Sequence, residues 1–301
     1  MDIERVIAVI VAYTNMTSLE LCINALCSQS TPVFQIIVID NSQSCNVTAM
    51  IDRLPRSQQE MIQYHATATN IGSAGGFAKG ITLAYKEGAE WIWLHDEDDY
   101  PDKDCLEKLL GRKGGMIRTP QIVDPKTGKD LRYFKRVQGP LGYFYSASPY
   151  RLCVDVAGTA GLLIHRDVIT RIGTYDTDFF IGYEDYDYCL RARRAGLSVT
   201  PVNEAVVFHP DHQSTTFSRY PNLDHILAYL PSFWGGIRKG SNRDIYAIRN
   251  YIIVSKRYKS RLIVFLEFLT SCCVLPILAL FNPRISLHIT LKTYLKALCA
   301  G

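Results

Sequence analysis

Along the first half of the chain, the apolar positions follow two kinds of spacing. Short continuous apolar runs are typical of buried strands, whereas apolar residues at every third or fourth position are typical of helices. The runs predict strands at residues 5–13, 34–39, 61–66 and 91–94, and the wider spacing predicts helices at residues 18–29 and 75–87. Strands that alternate with helices of this length predict βαβ units, and therefore an α/β fold with a mostly parallel central sheet flanked by helices.

The alternation continues into the second half of the chain and then stops. After a short helix that follows Asp102, the pattern predicts a strand at 115–123, a long loop at 124–150, two short strands around a glycine turn at 151–165, a helix at 184–195 and a strand at 197–208. Beyond about residue 216 the pattern is helical. We therefore expect a first domain over residues 1–215 and a helical C-terminal region over residues 216–301.

The positive charge of the chain is concentrated near its C-terminus. The formal net charge is +4, yet residues 238–261 carry eight basic residues against one acidic residue, Asp244. About twenty mostly apolar positions follow at 262–281, nearly the length of a membrane-spanning helix. Glu267 and Pro276 count against a span, so we favour a helical tail that docks on an anionic membrane face. A packed helical subdomain or oligomer contact, and a true span, are the alternatives.

The cysteines and the N-terminal sequence indicate the cellular compartment of the protein. Nine cysteines are scattered along the chain, and no two form a C-x-x-C pair. This favours reduced thiols and argues against a disulfide framework or a zinc site. The chain enters an apolar strand almost at once, without the basic segment and cleavage site of a secretory signal. We therefore expect a cytoplasmic protein, peripheral on the inner face of the cell membrane.

Four consecutive acidic residues, Asp96 to Asp99, directly follow the apolar run that starts at Trp91. If that run is a parallel strand, the acids lie at the carboxyl edge of the sheet, where open α/β sheets bind ligands. Crowded carboxylates repel one another unless a cation lies among them, and a hard divalent ion with oxygen ligands is usual. The acids therefore predict a divalent metal site, with a solvated acidic turn as the alternative.

A glycine-rich segment between Asn70 and Gly80 follows one predicted strand and opens a predicted helix. Glycines allow the backbone to approach a phosphate or ribose closely, and a helix N-terminus favours negative charge. The segment lacks the G-x-G-x-x-G spacing of dinucleotide-binding turns. It predicts a nucleotide-binding turn, with an ordinary glycine turn that holds no ligand as the alternative.

A second group of acids lies in the first turn of the last predicted helix. Glu184, Asp185 and Asp187 fall there, and one of their carboxylates could face a cleft. The alternative is structural, because the helix dipole stabilises acids at this position and Arg191 and Arg194 could pair with them.

His209 lies at the end of the last predicted strand, in a Val-Val-Phe-His-Pro sequence. A lone histidine is more often structural than a ligand. If it does complete a metal site made of carboxylates, it favours manganese over magnesium or calcium.

Together these segments resemble glycosyltransferase family 2 enzymes with the GT-A fold, a Rossmann-like α/β fold. The resemblance is strongest to bacterial rhamnosyltransferases and galactofuranosyltransferases that build cell-surface polysaccharides. It covers roughly residues 6–212 and continues weakly into residues 246–250. The matching motifs, in chain order, are Asp40-Asn41 after a strand, the turn from Asn70 to Gly76, His95-Asp-Glu-Asp98, Gly182 to Asp187 with Arg191, and His209.

The resemblance implies a role for each matching position. Asp96 and Asp98 would hold Mn²⁺ or Mg²⁺ against the sugar-nucleotide diphosphate, and His209 would complete this metal site. Asp185 would be the catalytic base, with Glu184 beside it. The residues that would cradle the nucleotide come from three segments: Ala12, Tyr13, Asp40, Asn70, Gly72, Ala74, Gly75 and Gly76.

The identity of the metal-binding pair stays open within this resemblance. Glu97 and Asp99 also belong to the acidic run, so more than one pair of acids could form the metal site.

The resemblance also divides the first domain, with nucleotide-sugar binding in residues 1–125 and the acceptor side in residues 126–215. Aromatic residues of the predicted loop between Tyr133 and Tyr150 would stack on acceptor sugars or simply pack on one another.

The implied activity is inverting, metal-dependent transfer of a sugar from a UDP- or dTDP-sugar to a lipid-linked saccharide, with galactofuranose or rhamnose favoured. We expect a membrane surface as a partner, no nucleic acid, and homo-oligomer formation as an open alternative. A sugar-phosphate nucleotidyltransferase is the second hypothesis, but residues 11–15 lack the glycine-rich, basic signature expected of one. A non-enzymatic membrane or nucleic-acid binder is the third, and such a module needs no acidic cleft.

Overall fold

The structure is a computed structural model, and the part of the chain that it describes falls into two compact units. The described residues are 4–44, 46–131, 156–210 and 242–262, with a few isolated positions nearer the C-terminus. The first unit contains the described residues up to 178 and residues 184–210, and the second contains residues 179–183 and the described residues from 242 onward.

The secondary structure of the first unit alternates strands and helices. In chain order its elements are β1 (Val6–Ala12), α1 (Met16–Cys27), β2 (Gln35–Asp40), α2 (Asn46–Ile51), α3 (Arg56–Gln59), β3 (Ile62–Ala66), α4 (Gly72–Lys86), β4 (Trp91–Asp96), β5 (Tyr100–Pro101), α5 (Cys105–Gly111), β6 (Ile117–Val123), β7 (Leu162–His165), α6 (Arg166–Ile172), α7 (Glu184–Arg194) and β8 (Val199–Phe208). A 3₁₀ turn at Thr177–Phe179 precedes α7, and the second unit contains α8 (Asn242–Tyr258).

The strands form one eight-stranded sheet in the order β3-β2-β1-β4-β7-β6-β8-β5. β1 is parallel to β2 and β4, β2 is parallel to β3, and β6 is parallel to β8. β7 lies antiparallel between β4 and β6, and the short β5 lies antiparallel on β8. The predicted α/β fold with a mostly parallel sheet is confirmed. The antiparallel β7 was not predicted, because hydrophobic periodicity carries no information on strand direction.

Burial explains the continuous apolar runs of the sequence. All seven residues of β1 are buried, as a parallel strand covered on both faces requires. α1 buries Leu19, Cys22, Ile23 and Leu26, which are the positions of its predicted apolar face. Each fully buried leucine or isoleucine contributes about 1.5 to 3 kcal/mol relative to an exposed one. This face therefore holds α1 in the core cluster that also includes β1 and β2.

Short elements account for most of the differences from the sequence prediction. α2, α3, α6 and β5 have at most seven residues each, and a hydrophobic period cannot be recognised over so few positions.

The ends of two predicted helices are set by local interactions. α4 begins at Gly72 rather than at residue 75, because the Asn70 side chain accepts a hydrogen bond from the Gly72 N–H at 2.8 Å. α7 ends before Gly196, whose φ of 78° fits the predicted left-handed cap.

Some predictions concern residues outside the described part of the chain. These are the loop beyond Leu131, the start of the segment predicted at 151–165, and most of the apolar stretch at 262–281. The described part of the C-terminal region contains the helix α8. Within the described residues, no helix combines the length and the apolar character needed to cross a membrane.

Helix α4 approaches the sheet so closely that two of its positions admit only glycine. A Cβ atom added at Gly80 would lie 2.2 Å from Cγ1 of Val9, and one at Gly76 would lie 2.7 Å from Cγ1 of Val11. Ordinary carbon–carbon contacts are about 3.5 to 4 Å. Part of the glycine content of this segment is therefore explained by the packing of α4 on β1.

We predict that Gly80→Ala lowers the free energy of unfolding by about 1 to 3 kcal/mol, because the added methyl group overpacks the contact with Val9. Gly111→Ala is the matched control, since a Cβ atom at this exposed helix position meets nothing within 4 Å. Its effect should stay within about 0.5 kcal/mol. Urea denaturation followed by circular dichroism measures both values, and equal midpoints for the two variants would contradict the close approach of α4.

Candidate active site

The carboxyl ends of three neighbouring strands bring together predicted site residues that are distant in sequence. In the sheet register, Ala12 of β1 lies beside Asp40 of β2, and Val11 of β1 lies beside Asp96 of β4. Tyr13 follows Ala12 and is 50% exposed. Ala12, Asp40 and Asp96 thus lie along one edge of the sheet, where ligands bind in open α/β folds.

Two of the four consecutive acids are used to hold the turn after β4. The Glu97 carboxylate accepts hydrogen bonds from the backbone N–H groups of Tyr13, Thr14 and Asn15, at 2.6, 3.2 and 3.1 Å. Asp99 is fully buried, and its Oδ2 accepts a hydrogen bond from the Asp96 N–H at 2.9 Å. Glu97 and Asp99 thus hold the turn on which Asp96 and Asp98 lie.

Asp98 meets His209 at the edge of the sheet. Nε2 of His209 lies 3.4 Å from Oδ1 of Asp98, and Nδ1 of His209 lies 2.9 Å from the Pro210 carbonyl oxygen. Because a carbonyl oxygen can only accept, Nδ1 donates to it and Nε2 is directed toward the Asp98 carboxylate. An imidazole nitrogen and a carboxylate oxygen that face each other in this way are both potential ligands of one cation. The donor set, carboxylates and one imidazole, suits a hard divalent metal ion.

Negative charge accumulates around Asp96. Burial raises the pKa of its carboxyl well above the ordinary value, and the charges of Asp99, Asp98, Glu184 and Asp185 raise it further. The acids of α7 and those of the β4 turn therefore share one electrostatic environment. This concentration of carboxylates favours a divalent cation at the same place.

The three acids at the start of α7 differ in their surroundings. Asp187 is fully buried, and its Oδ2 accepts a hydrogen bond from Nε of Arg191 at 2.7 Å. The other guanidinium nitrogens of Arg191 donate to backbone carbonyl groups. Asp187 and Arg191 thus form the structural pair that the sequence left as an alternative. Glu184 is buried and Asp185 is half-buried.

Asp40 and the glycine turn are tied into the first unit by their own hydrogen bonds. The Asp40 carboxylate accepts from the Tyr64 hydroxyl at 2.8 Å and from the Ser42 N–H at 2.7 Å. The Asn41 side chain donates to the Gly72 carbonyl at 2.9 Å. The members of the predicted nucleotide cradle that are buried within α4 are Gly72, Ala74, Gly75 and Gly76. The close approach of α4 to β1 accounts for the burial of Gly76.

The sequence analysis missed a buried cluster beneath the acidic turn. Within the described residues, Cys22, His95 and Asp99 offer potential ligand atoms within 4.8 Å of one another. Nδ1 of His95 is hydrogen-bonded to Asp99, and burial raises the pKa of the Cys22 thiol well above its ordinary value. A protonated thiol is a poor metal ligand. We therefore assign this cluster to holding the turn, and its sequence signal was His95 inside an apolar run, four residues before Asp99.

Family models match most of the chain. The model described as glycosyl transferase family 2 matches residues 7–114, and the model described as glycosyl transferase family group 2 matches residues 91–300. The second match spans more than half of the chain and includes the acids of α7 and His209.

Two relatives align with more than two thirds of this chain. The galactofuranosyltransferase GlfT1 of Mycolicibacterium smegmatis is 26% identical over 291 residues, which cover 83% of this chain and 94% of that protein. The dTDP-rhamnosyl transferase RfbF of Shigella flexneri is 22% identical over 218 residues, which cover 68% of this chain and 69% of that protein.

Solved structures of glycosyltransferases share the fold. The crystal structure of GalNAc-T7 with UDP, GalNAc and Mn²⁺ matches with a TM-score of 0.59 and 12% identity, covering 85% of this chain and 48% of that chain. The mannosyltransferase PcManGT of Pyrobaculum calidifontis, in complex with GDP-Man and Mn²⁺, matches with a TM-score of 0.54 and 13% identity, covering 98% and 86%. The chain therefore belongs to glycosyltransferase family 2 and is a glycosyltransferase with the GT-A fold.

Proposed function

We propose that the protein transfers a sugar from a nucleotide-diphosphate sugar to a saccharide acceptor, with inversion at the anomeric carbon. The observation that carries this proposal is the contact between Asp98 and His209, whose side chains lie 3.4 Å apart. Burial raises the pKa of the nearby Asp96 carboxyl, and the charges of Asp99, Asp98 and the first two acids of α7 raise it further. A metal site and a proton acceptor within one electrostatic environment are the two requirements of this reaction. Family membership favours it over the sugar-phosphate nucleotidyltransferase.

The proposed metal ligands are Asp96, Asp98 and His209. A divalent ion held there, Mn²⁺ or Mg²⁺, would supply positive charge to the departing nucleotide diphosphate. The Glu97 and Asp99 side chains support these ligands by holding the turn on which Asp96 and Asp98 lie.

The proposed base is Asp185. The acceptor hydroxyl must lose its proton as it attacks, and a half-buried carboxylate at the start of a helix can accept that proton. One carboxylate that acts on the face opposite the leaving group gives inversion in a single displacement, as in inverting glycosidases. Glu184, its buried neighbour, adds negative charge beside the base.

The proposed donor is a UDP- or dTDP-sugar, with galactofuranose or rhamnose favoured by the names of the relatives. Tyr13, which follows β1 and is half exposed, would stack on the nucleotide base. The other proposed cradle residues are those of the sequence analysis: Ala12, Asp40, Asn70, Gly72, Ala74, Gly75 and Gly76.

Three predictions follow from the proposed reaction, and the first of them concerns donor binding. In a panel of nucleotide sugars with Mn²⁺, one UDP- or dTDP-sugar should raise the thermal midpoint of the wild type by roughly 5 °C at saturating ligand. Asp98→Ala should lose this shift because a metal ligand is missing. Asp52→Ala, which removes an exposed acid of the same type, should keep it. A full shift in Asp98→Ala would contradict the proposed metal site.

The second prediction separates binding from transfer. Asp185→Asn should keep the donor-induced shift and lower kcat by about 10² to 10⁴, the usual contribution of general base catalysis. Asp167→Asn, an exposed acid in the first turn of α6, should leave kcat unchanged. Full activity of Asp185→Asn would remove the assignment of the base.

The third prediction follows from the raised pKa of Asp96. Because the folded protein binds this proton more tightly than the unfolded chain, the contribution to stability is full below about pH 4, the ordinary pKa of aspartate. It is lost as the pH rises through the raised folded-state pKa. In EDTA, the thermal midpoint of the wild type should therefore fall relative to that of Asp96→Asn as the pH rises above about 4.

Mn²⁺ should abolish this relative fall in the wild type, because the ion offsets the repulsion among the carboxylates. Parallel pH curves for the wild type and Asp96→Asn in EDTA would contradict the electrostatic coupling at the site.

We further propose that the C-terminal region docks on the inner face of the cell membrane, where a lipid-linked acceptor would be met. Leu262, Phe265 and Leu269 are 66%, 56% and 44% exposed. Their spacing of three and four positions places them on one face of a helix. The basic residues at 256–261 precede this face, and anionic lipids attract such residues.

To test docking, sedimentation with anionic vesicles compares the full-length wild type with two single variants. Leu262→Glu should weaken binding about tenfold, because it removes one buried leucine and adds a repelled charge. Leu21→Glu, at an exposed leucine of α1, should bind as the wild type does. Unchanged binding of Leu262→Glu would contradict docking, and a changed oligomeric state in that variant would favour the oligomer contact instead.

A further inference from the structure

The segment that leads into α7 has an unusual backbone. Phe180 and Tyr183 have φ values of 58° and 71°, in the left-handed region that bulky residues rarely adopt, and Gly182 between them has a φ of 81°. Glu184 and Asp185 are the next two residues of the chain. Such strained residues persist only when surrounding contacts determine them, and they cluster at functional sites.

One side chain of α8 holds this segment. Nδ2 of Asn250 lies 2.8, 3.0 and 2.7 Å from the carbonyl oxygens of Phe179, Ile181 and Gly182. The two amide hydrogens are thus shared among three carbonyl groups. Oδ1 of Asn250 accepts a hydrogen bond from Nη1 of Arg249 at 2.9 Å, which orients the amide so that its N–H₂ group faces the segment. Asn250 is fully buried, so water cannot replace these bonds.

Aromatic contacts within the second unit reinforce the same backbone. The Phe180 ring stacks on the Tyr246 ring at 4.8 Å between centroids, with an interplanar angle of 24°. The Tyr183 ring meets the edge of the Tyr251 ring at 6.1 Å. The strained residues thus contact α8 on both sides of the Asn250 amide.

We propose that Asn250 is a positioning residue for the transfer reaction. Its amide sets the backbone of residues 179–183, and this covalently continuous segment sets how the chain enters α7 and where the Asp185 carboxylate points. The inference rests on the proposed role of Asp185 as the base. An asparagine is required because the three carbonyl groups need two N–H donors on a side chain of this length. Aspartate has no N–H donor, and the side chain of glutamine is one methylene longer.

The test measures kcat, the KM for the donor, and the donor-induced thermal shift in the full-length protein. Asn250→Asp should lower kcat about 100-fold, as a displacement of about 1 Å of a catalytic group does, with the KM for the donor and the thermal shift within about threefold of wild type. If this variant does not fold, Asn250→Gln replaces it. Ile252→Ala is the matched control, because it removes buried apolar volume from the same helix and leaves the amide in place.

A purely structural role predicts that Ile252→Ala and Asn250→Asp lose kcat in proportion to their loss of stability, and that result would overturn the proposal. A double-mutant cycle with Asp185→Asn gives the second readout. If Asn250 acts through Asp185, then Asn250→Asp causes no further loss of kcat in the Asp185→Asn background. Losses that multiply would refute positioning through the base. Full activity of Asp185→Asn alone would instead refute the proposed function, so the two failures are distinguishable.

Discussion

Repulsion among carboxylates at the carboxyl edge of the sheet is the constraint on which the candidate site depends. The parallel strands β1, β2 and β4 end at this edge, and four consecutive acids follow there. The fold gives the four acids two different tasks. Glu97 is held by backbone amides after β1, and Asp99 is held in the interior by His95 and the Asp96 backbone. These inward bonds hold the turn that carries Asp96 and Asp98 against the mutual repulsion of its carboxylates.

The acids at the start of α7 divide in the same way, into one that supports the fold and two that are candidate site residues. The buried Asp187 pairs with the half-buried Arg191, which fastens the helix to the backbone carbonyls of Ile172 and Thr174. Glu184 and Asp185, in the same turn, contribute instead to the field at Asp96. The start of α7 is therefore supported from its own helix by Arg191, and its preceding segment is held by Asn250 of α8. If Asp185 is the base, as proposed, supporting groups of this kind keep its carboxylate in one geometry, which a reaction of positioned groups requires.

Residue type at an element boundary was enough to single out the candidate site residues. Acids follow β4, glycines open α4, and acids open α7. In each case the residue type and the predicted end of the element can both be recognised from a few neighbouring residues in the sequence. The supporting residues were missed. Asn250 bonds to a carbonyl 71 positions earlier, and Glu97 bonds to an amide 84 positions earlier. No local pattern signals such contacts, because they exist only after the elements have packed.

The sequence by itself determined the α/β class, the apolar face of α1 and the family, because each depends on local periodicity or on the order of short motifs. Only the tertiary structure decided that β7 runs antiparallel between β4 and β6. It also decided which acids of the run face inward, and that Asp98 meets His209 although they are far apart in the chain. The physical reason is that strand direction and side-chain partners minimise the free energy of the whole packed unit, to which distant residues contribute as much as near ones.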